Sequence, residues 1–377
     1  MSARGLEGVV AAETRLSKVF GEEGRLVYGG YDIEDLAEHT TFEEVCHLLW
    51  YGQLPDRARL DTLRMRLSEA AAVDPRIVEL LRLAPRDAHP MTTLRTAVSA
   101  LAFYDPDADS NDADANERKA IRLTAQTITI TAALDRVRSG GDSIAPRPDL
   151  GLAANLLWML RGEEPDELST HIIDVALTLH AEHGMNASTF AGRVAAGTLS
   201  DMHAAVTAAI ATLKGPLHGG ANERVMHMLR QVGTPDAAPD WVRAALGRGE
   251  KIMGFGHRVY RTLDPRAPIL RRLAERLAAR GGDTHWLDIS ERIQTVMREE
   301  MDRRGKQVWP NVDFFSASVY HTLGIPVDLF TNIFACARMA GWTAHVMEQH
   351  RDNRLIRPKG DYQGPLGLKV EPIEQRG

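Results

Sequence analysis

Apolar residues recur at helical spacing along almost all of this 377-residue chain, which leaves little room for any fold but a helical one. Segments 75–84, 91–104, 117–138, 149–161, 166–182, 188–198, 201–213, 219–231, 238–247, 265–280, 286–303, 313–323 and 327–350 carry the pattern. The earlier run "TTFEEVCHLLWYGQLP" opens with a capping-box signature, Thr41 followed three residues later by Glu44, and Pro55 stops it. Strand-like patterning is confined to the N-terminus. There "RLSKV" and "GRLVYGG" flank "FGEE" and read as a hairpin. The expected fold class is all-α, multihelical, with a minor N-terminal β element. The length allows a large core and a division into two domains.

The hydrophobic fraction of 44% and charged fraction of 25% are those of a soluble globular protein. A net charge of −6 and a pI near 6.2 argue against a nucleic-acid binder, which carries a basic surplus. A local basic pocket for a small anion remains allowed. No run approaches the ~18 apolar residues of a membrane span, and the N-terminus has no apolar core of a secretory signal. Cys46 and Cys336 lie far apart in apolar surroundings and read as reduced thiols. The cytoplasm is the expected location. The acidic stretch "DPDADSNDADANE", 105–117, alternates aspartates as a calcium loop does. It has Ser110 where that loop needs glycine and Asn116 where it needs a bidentate glutamate, so it reads as an exposed acidic loop.

Five segments offer chemistry. "TLKGPLHGGANE" sets His218 between a Gly-Pro-Leu turn and two glycines, just before a helical pattern. "KIMGFGHRVYRTLDPRAP" sets His257 after Gly-Phe-Gly and supplies Lys251, Arg258, Arg261 and Arg266. That grouping suits phosphates or carboxylates, with a loop of solvated arginines as the alternative. In "WPNVDFFSASVYHTLGIP", Asp313 sits among Val312, Phe314 and Phe315. It reads either as a helix cap or as a base whose pKa desolvation has raised. "HAEHGMNAST" spaces His180 and His183 by three. A metal reading lacks a third ligand, and His183 beside Gly184 could instead hold an anion. Arg338 interrupts the apolar face of "FACARMAGWTAHVMEQHRDNRLIRPKGDY". An arginine so placed needs a paired anion, either a protein carboxylate or a substrate's. The same segment ends in "RPKG", with Arg357 and Lys359. Two histidines on glycine turns, a carboxylate in an apolar setting and several arginines fit proton abstraction next to a carbonyl, with neutral imidazoles as donors to the oxygen.

In this order and spacing, "GPLHGGAN", "GFGHRVYRTLDPRA", "NVDFF" and "RPKG" resemble the citrate synthases. So do "GLEGVVAAETRLS", "GRLVYGGYDIEDLAE", "FEEVCHLLWYGQLP" and "HAEHGMNASTF", so that the resemblance covers nearly the whole chain. It implies the compact dimeric form of archaea and many bacteria. A large domain (1–217 and 320–377) and a small domain (218–319) would enclose a cleft that closes on oxaloacetate.

The resemblance also implies roles. Asp313 would take a methyl proton from acetyl-CoA, His218 would hydrogen-bond the thioester oxygen, and His257 would donate to the ketone of oxaloacetate. His183, His257, Arg266 and Arg338 would hold oxaloacetate, with Arg357 reaching in from the partner subunit of a homodimer. Lys251 and Arg261 would meet coenzyme A. No metal and no cofactor are implied, the coenzyme A thioester being a substrate. His218, at a helix start, is expected to be neutral because the helix dipole disfavours imidazolium. The nearest relative in function is 2-methylcitrate synthase, which uses propionyl-CoA, and Leu217 favours the acetyl-CoA enzyme.

Overall fold

The computed structural model describes residues 4–6, 8–281 and 284–376. Aspartates start many of its helices. Asp56, Asp112, Asp166 and Asp201 each accept a first-turn N–H, for Arg57–Ala70, Ala113–Arg138, Glu167–His180 and Met202–Leu213. Each satisfies a donor that a helix start leaves unpaired. At Phe42–Tyr51 the capping box forms, the Glu44 carboxylate accepting the Thr41 N–H at 2.8 Å. That helix ends at Gly52, left-handed at φ 76°, three residues before Pro55.

The acidic stretch is ordered. Asp112 begins its helix at Ala113, four residues ahead of the periodic pattern, so the last five residues of the stretch are helical. Asp105 and Asp107 pair with Arg122, each at 2.6 Å, and Asp107 also pairs with Arg118 at 2.7 Å. Arginines from the following helix thus occupy carboxylates that a calcium loop would turn inward.

The expected hairpin is present. β1 (Ser17–Phe20) pairs antiparallel with β2 (Arg25–Tyr28), Ser17 opposite Tyr28 and Phe20 opposite Arg25. A third strand, β3 (Tyr31–Asp32), and the helix Ile33–His39 follow. Both are too short for periodicity to have revealed them.

Phe330–Arg351 forms the axis of the larger helical group. It packs against Phe42–Tyr51, Ala113–Arg138, Glu167–His180, Ala187–Gly197 and Met202–Leu213. Its buried residues lie on every side, as expected of a helix enclosed by others. Small residues permit the close approach. A Cβ on Gly341 would collide with the Ala181 carbonyl and the Glu182 carboxylate. A second group, Ala221–Val232, Ala238–Gly247, Arg266–Gly281, His285–Arg303 and Val312–Thr322, packs largely upon itself. Between its second and third helices runs an irregular segment containing "GFGHRVY". Both cysteines are buried and unbridged. Among the described residues no helix is long and apolar enough to cross a membrane.

Gly341→Ala should destabilise the fold by about 1–3 kcal/mol through overpacking, outweighing the ~1 kcal/mol that alanine adds in helix propensity. Thermal unfolding checks this; a Tm at or above the wild-type value would mean that the long helix can shift without loss.

Candidate active site

The site is built on Asp264, which serves two helix starts. Its Oδ1 accepts the backbone N–H of Arg266, the first residue of Arg266–Gly281, at 3.1 Å. Its Oδ2 accepts the N–H of Val312, the first residue of Val312–Thr322, at 3.2 Å. The Arg266 guanidinium closes a bidentate pair with the same carboxylate, at 3.0 and 2.8 Å, and both side chains are buried. Burial alone would raise the pKa of Asp264, but the Arg266 charge and its hydrogen bonds hold it below the usual range. The local signal was "DPR", an aspartate and a proline just ahead of the helix start.

His257 is set by backbone. Gly254 and Gly256 adopt φ of 79° and 83°, in the region that favours glycine. Gly256 N–H donates to the Trp309 carbonyl, Asn311 N–H donates to the Gly254 carbonyl (2.8 Å each), and Phe255 bridges to Pro310. A Cβ on Gly254 would lie 2.9 Å from Phe314 Cβ. These glycines therefore dock the His257 loop onto the segment leading to Asp313. Nδ1 of His257 accepts the N–H groups of Val259 (3.0 Å) and Tyr260 (3.2 Å), which places the ring proton on Nε2. The His183 ring lies 5.3 Å from that of His257, centroid to centroid, and its Nε2 is 3.2 Å from the Tyr260 hydroxyl.

His218 sits two residues before Gly220, the cap of Ala221–Val232. The turn is tight: Gly219 N–H donates to the Leu213 carbonyl at 2.8 Å, and a Cβ there would be 2.6 Å from that oxygen. Nε2 of His218 lies 2.8 Å from Ser188 Oγ and faces the Ser188 backbone N–H at 3.3 Å. A backbone N–H can only donate, so Nε2 is the acceptor and Nδ1 carries the proton. Ser188 is itself held by Asn186 Oδ1 and by the Trp342 indole N–H.

Burial drives the titration of these groups. It pushes His257 down to about 4, with help from Arg266. It pushes His218 down to about 4 as well, with help from Arg338 and Arg258. His183 falls well below its ordinary value through burial and the Arg266 charge. His218 is neutral through burial and the Arg338 and Arg258 charges, and it lies two residues ahead of the helix cap rather than at the helix start. Asp313 is raised to about 7 by burial, against the pull of Arg266 and Arg338. Asn311, not Asp313, is the cap of its helix, accepting the Asp313 N–H at 3.0 Å. Arg338 is 1% exposed. Its Nε donates to the His180 carbonyl at 2.7 Å, and its guanidinium lies 4.8 Å from the Phe334 ring centre. Among the described residues no carboxylate forms an ion pair with it. Burial lowers its pKa to about 10, so it stays charged at neutral pH.

His183, His218, His257, Arg266, Asp313 and Arg338 therefore share one electrostatic neighbourhood. Others lie apart. Arg357 is exposed in the C-terminal segment and makes no hydrogen bond or ion pair among the described residues. Lys251 lines a cavity of about 650 Å³ with Phe255, His257, Arg258, Arg304 and Lys306. Arg261 lines a smaller one of about 160 Å³ with His257, Asp264 and Asn311. A larger cavity of about 770 Å³, walled by Glu43, Arg64 and Asp174, contains none of these groups. His180 ends a helix and His183 lies beyond it, so the two rings do not share a helical face. Among the described residues no histidine, cysteine or carboxylate cluster could hold a metal. The sequence reading missed Ser188, Tyr260, Asp264, Arg304 and Lys306.

Comparison with known proteins follows the same lines. Residues 5–359 match the family described as citrate synthase, C-terminal domain. The chain is 48% identical over 376 residues to citrate synthase 2 of Bacillus subtilis, covering 100% of this chain and 99% of that one. It is 43% identical over 378 residues to 2-methylcitrate synthase 1 of Corynebacterium glutamicum, covering 99% and 98%. It superimposes on the citrate synthase of the archaeon Thermoplasma acidophilum, solved as a ternary complex with carboxymethyl coenzyme A and oxaloacetate, with a TM-score of 0.94. Identity there is 33%, covering 100% of each chain.

The raised pKa of Asp313 has a stability consequence. A carboxyl that titrates near 7 when folded and near 3.8 when unfolded contributes fully below the unfolded value, and its contribution is lost as pH rises to the folded one. Asp313→Asn should therefore be more stable than wild type at pH 8, by ~2–4 kcal/mol, and lose that advantage towards pH 5. Tm measured across pH 5–8 tests this; a constant difference would mean that Asp313 is not held in a dry setting.

Proposed function

Because the chain belongs to the citrate synthase family, we propose that it condenses acetyl-CoA with oxaloacetate and water to give citrate and coenzyme A. This is the first step of the tricarboxylic acid cycle. The observation that carries the reading is the grouping of a half-buried carboxyl of raised pKa, Asp313, with two neutral imidazoles of defined tautomer beside a buried guanidinium that forms no ion pair with a protein carboxylate among the described residues.

Oxaloacetate binds with a carboxylate on Arg338, where the protein has left a cation uncompensated. Arg266 contributes from its Asp264 pair, His183 from the opposite wall, and Arg357 from a second subunit. Asp313 removes a methyl proton from acetyl-CoA. Nδ1–H of His218 donates to the thioester oxygen, and Nε2–H of His257 donates to the ketone oxygen as the C–C bond forms. Removing one donor of this kind is worth ~3 kcal/mol of barrier. Because both rings are neutral, they stabilise developing charge without simply protonating it. Water then hydrolyses the citryl thioester, releasing coenzyme A.

Lys251, Arg258, Arg304 and Lys306 suit the coenzyme A phosphates in the cavity beside His257, and Arg261 lines the smaller cavity that His257 also borders. Residues 218–319 act as a small domain closing over the cleft. Homodimer formation is supported by the C-terminal segment, where Tyr362, Leu366, Leu368 and Val370 stand exposed and await a covering surface.

The alternative is 2-methylcitrate synthesis from propionyl-CoA, favoured by the C. glutamicum relative. The two substrates differ by one methylene, worth only ~1–3 kcal/mol. Leu217, the residue that favoured acetyl-CoA, is 84% exposed and forms no wall of a closed acyl pocket in this protomer. The ratio of kcat/KM for acetyl-CoA and propionyl-CoA decides between them; a ratio above 1 is expected.

Three further outcomes are expected. Asp313→Ala should lower kcat by about 10³-fold or more, and near-wild-type turnover would remove the proposed base. The kcat/KM profile should fall as pH drops through about 7, where Asp313 protonates, with no second break from His218 or His257 above pH 5. Inactive His257→Ala and Arg357→Ala subunits, unfolded and refolded together, should recover about a quarter of wild-type activity, since each mixed dimer regains one intact site. No recovery would place Arg357 outside the partner's site.

A further inference from the structure

The N-terminal hairpin takes no part in the chemistry above, yet it touches the supports of two site histidines. From β1, Ser17 Oγ donates to Glu182 Oε1 at 3.0 Å and accepts the Gly184 N–H at 3.0 Å. From β2, the Tyr28 hydroxyl donates to the Glu182 carbonyl at 2.6 Å. These bonds grip the turn that carries His183. At the other end, the Gly21 carbonyl accepts the Arg261 N–H at 2.9 Å. A Cβ on Gly21 would collide with the Val259 carbonyl, and one on Gly24 would lie 2.7 Å from the Leu263 carbonyl. Residues 259 and 260 are the ones whose N–H groups fix the tautomer of His257.

We propose that the hairpin tip, Gly21–Gly24, is a latch that docks the His257 loop against the His183 turn, with Gly21 as a positioning residue for His257. The inference rests on the active site assigned above. The backbone at Gly21 is not left-handed, so alanine fits the hairpin itself. The nearest atoms its Cβ would meet all belong to Val259. A glycine is thus required at this position by the loop rather than by the turn. The hairpin joins a segment of the larger helical group to the loop of the second group. Its contacts hold the two histidine-bearing segments in register.

Gly21→Ala tests this. The variant should keep a wild-type Tm within a few degrees while kcat/KM for oxaloacetate falls at least tenfold. Long-range ¹H–¹⁵N correlation of the His257 ring should show loss of the single Nε2–H tautomer, which a merely structural role would not disturb. Wild-type kinetics together with a wild-type tautomer would overturn the proposal. Should the variant fail to fold, amide exchange in the wild-type protein decides. The Arg261 N–H should be protected, and more so with oxaloacetate added; free exchange in its presence would overturn the latch. If wild-type protein shows no condensation at all, the proposed function falls, while the tautomer and exchange measurements still judge the latch.

Discussion

Arg338 is a full charge buried in the middle of the central helix of the larger group, and the site is arranged around that constraint. Glu182 is the carboxylate whose charge most offsets it, but its Oε1 pairs with Ser17 and His345, its Oε2 has no hydrogen-bond partner among the described residues, and it makes no ion pair with Arg338. A buried cation without an adjacent anion is expensive, and proteins retain one where a ligand supplies the missing charge. Arg266 is different: Asp264 has already neutralised it. The two guanidiniums therefore differ: one is paired with a carboxylate and one is not. The same two charges help burial keep His183, His218 and His257 neutral, and they oppose the rise of Asp313.

Tautomers are set by backbone rather than by titratable neighbours. Two N–H groups on His257 Nδ1 and one on His218 Nε2 leave each ring a defined donor on its other nitrogen. Backbone donors do not titrate, so this polarity persists across the pH range in which Asp313 changes state. The carboxyl itself sits in the first turn of its helix, beside buried Phe314 and Phe315, and the Gly254–Gly256 docking ties its helix start to the His257 loop. Asp264 then locks both helix starts to Arg266. A displacement of any one of these elements would move Asp313, His257 and Arg266 together.

Legibility followed the range of the interactions. His218, His257 and Asp313 stood out because their local context, glycine turns and flanking aromatics, is written within a few residues. Helices longer than about three turns were visible through periodicity. The helix Ile33–His39 and strand β3 were not, being shorter than a period can register. The support of His218 by Ser188, 30 residues upstream, has no local signature, since a serine next to an asparagine cap reads as capping alone. Tyr260 lay in the quoted motif, but its contact with His183 spans 77 residues and appears only once the fold joins them. The glycines of "GFGH" have the expected left-handed conformation; they dock one loop on another, and Gly256 also lines the cavities beside His257. Arg357 lies in the exposed C-terminal segment, apart from the other candidate site residues.

The claim that Arg338 is an uncompensated charge awaiting a substrate carboxylate can be measured directly by thermal unfolding of wild type and Arg338→Gln, each with and without oxaloacetate. The account predicts that oxaloacetate raises the wild-type Tm by several degrees, that the variant without ligand is at least as stable as wild type, and that it shows no oxaloacetate shift. A variant that keeps the full shift, or that is strongly destabilised without ligand, would contradict it, because Arg338 would then be serving the protein's own carboxylates.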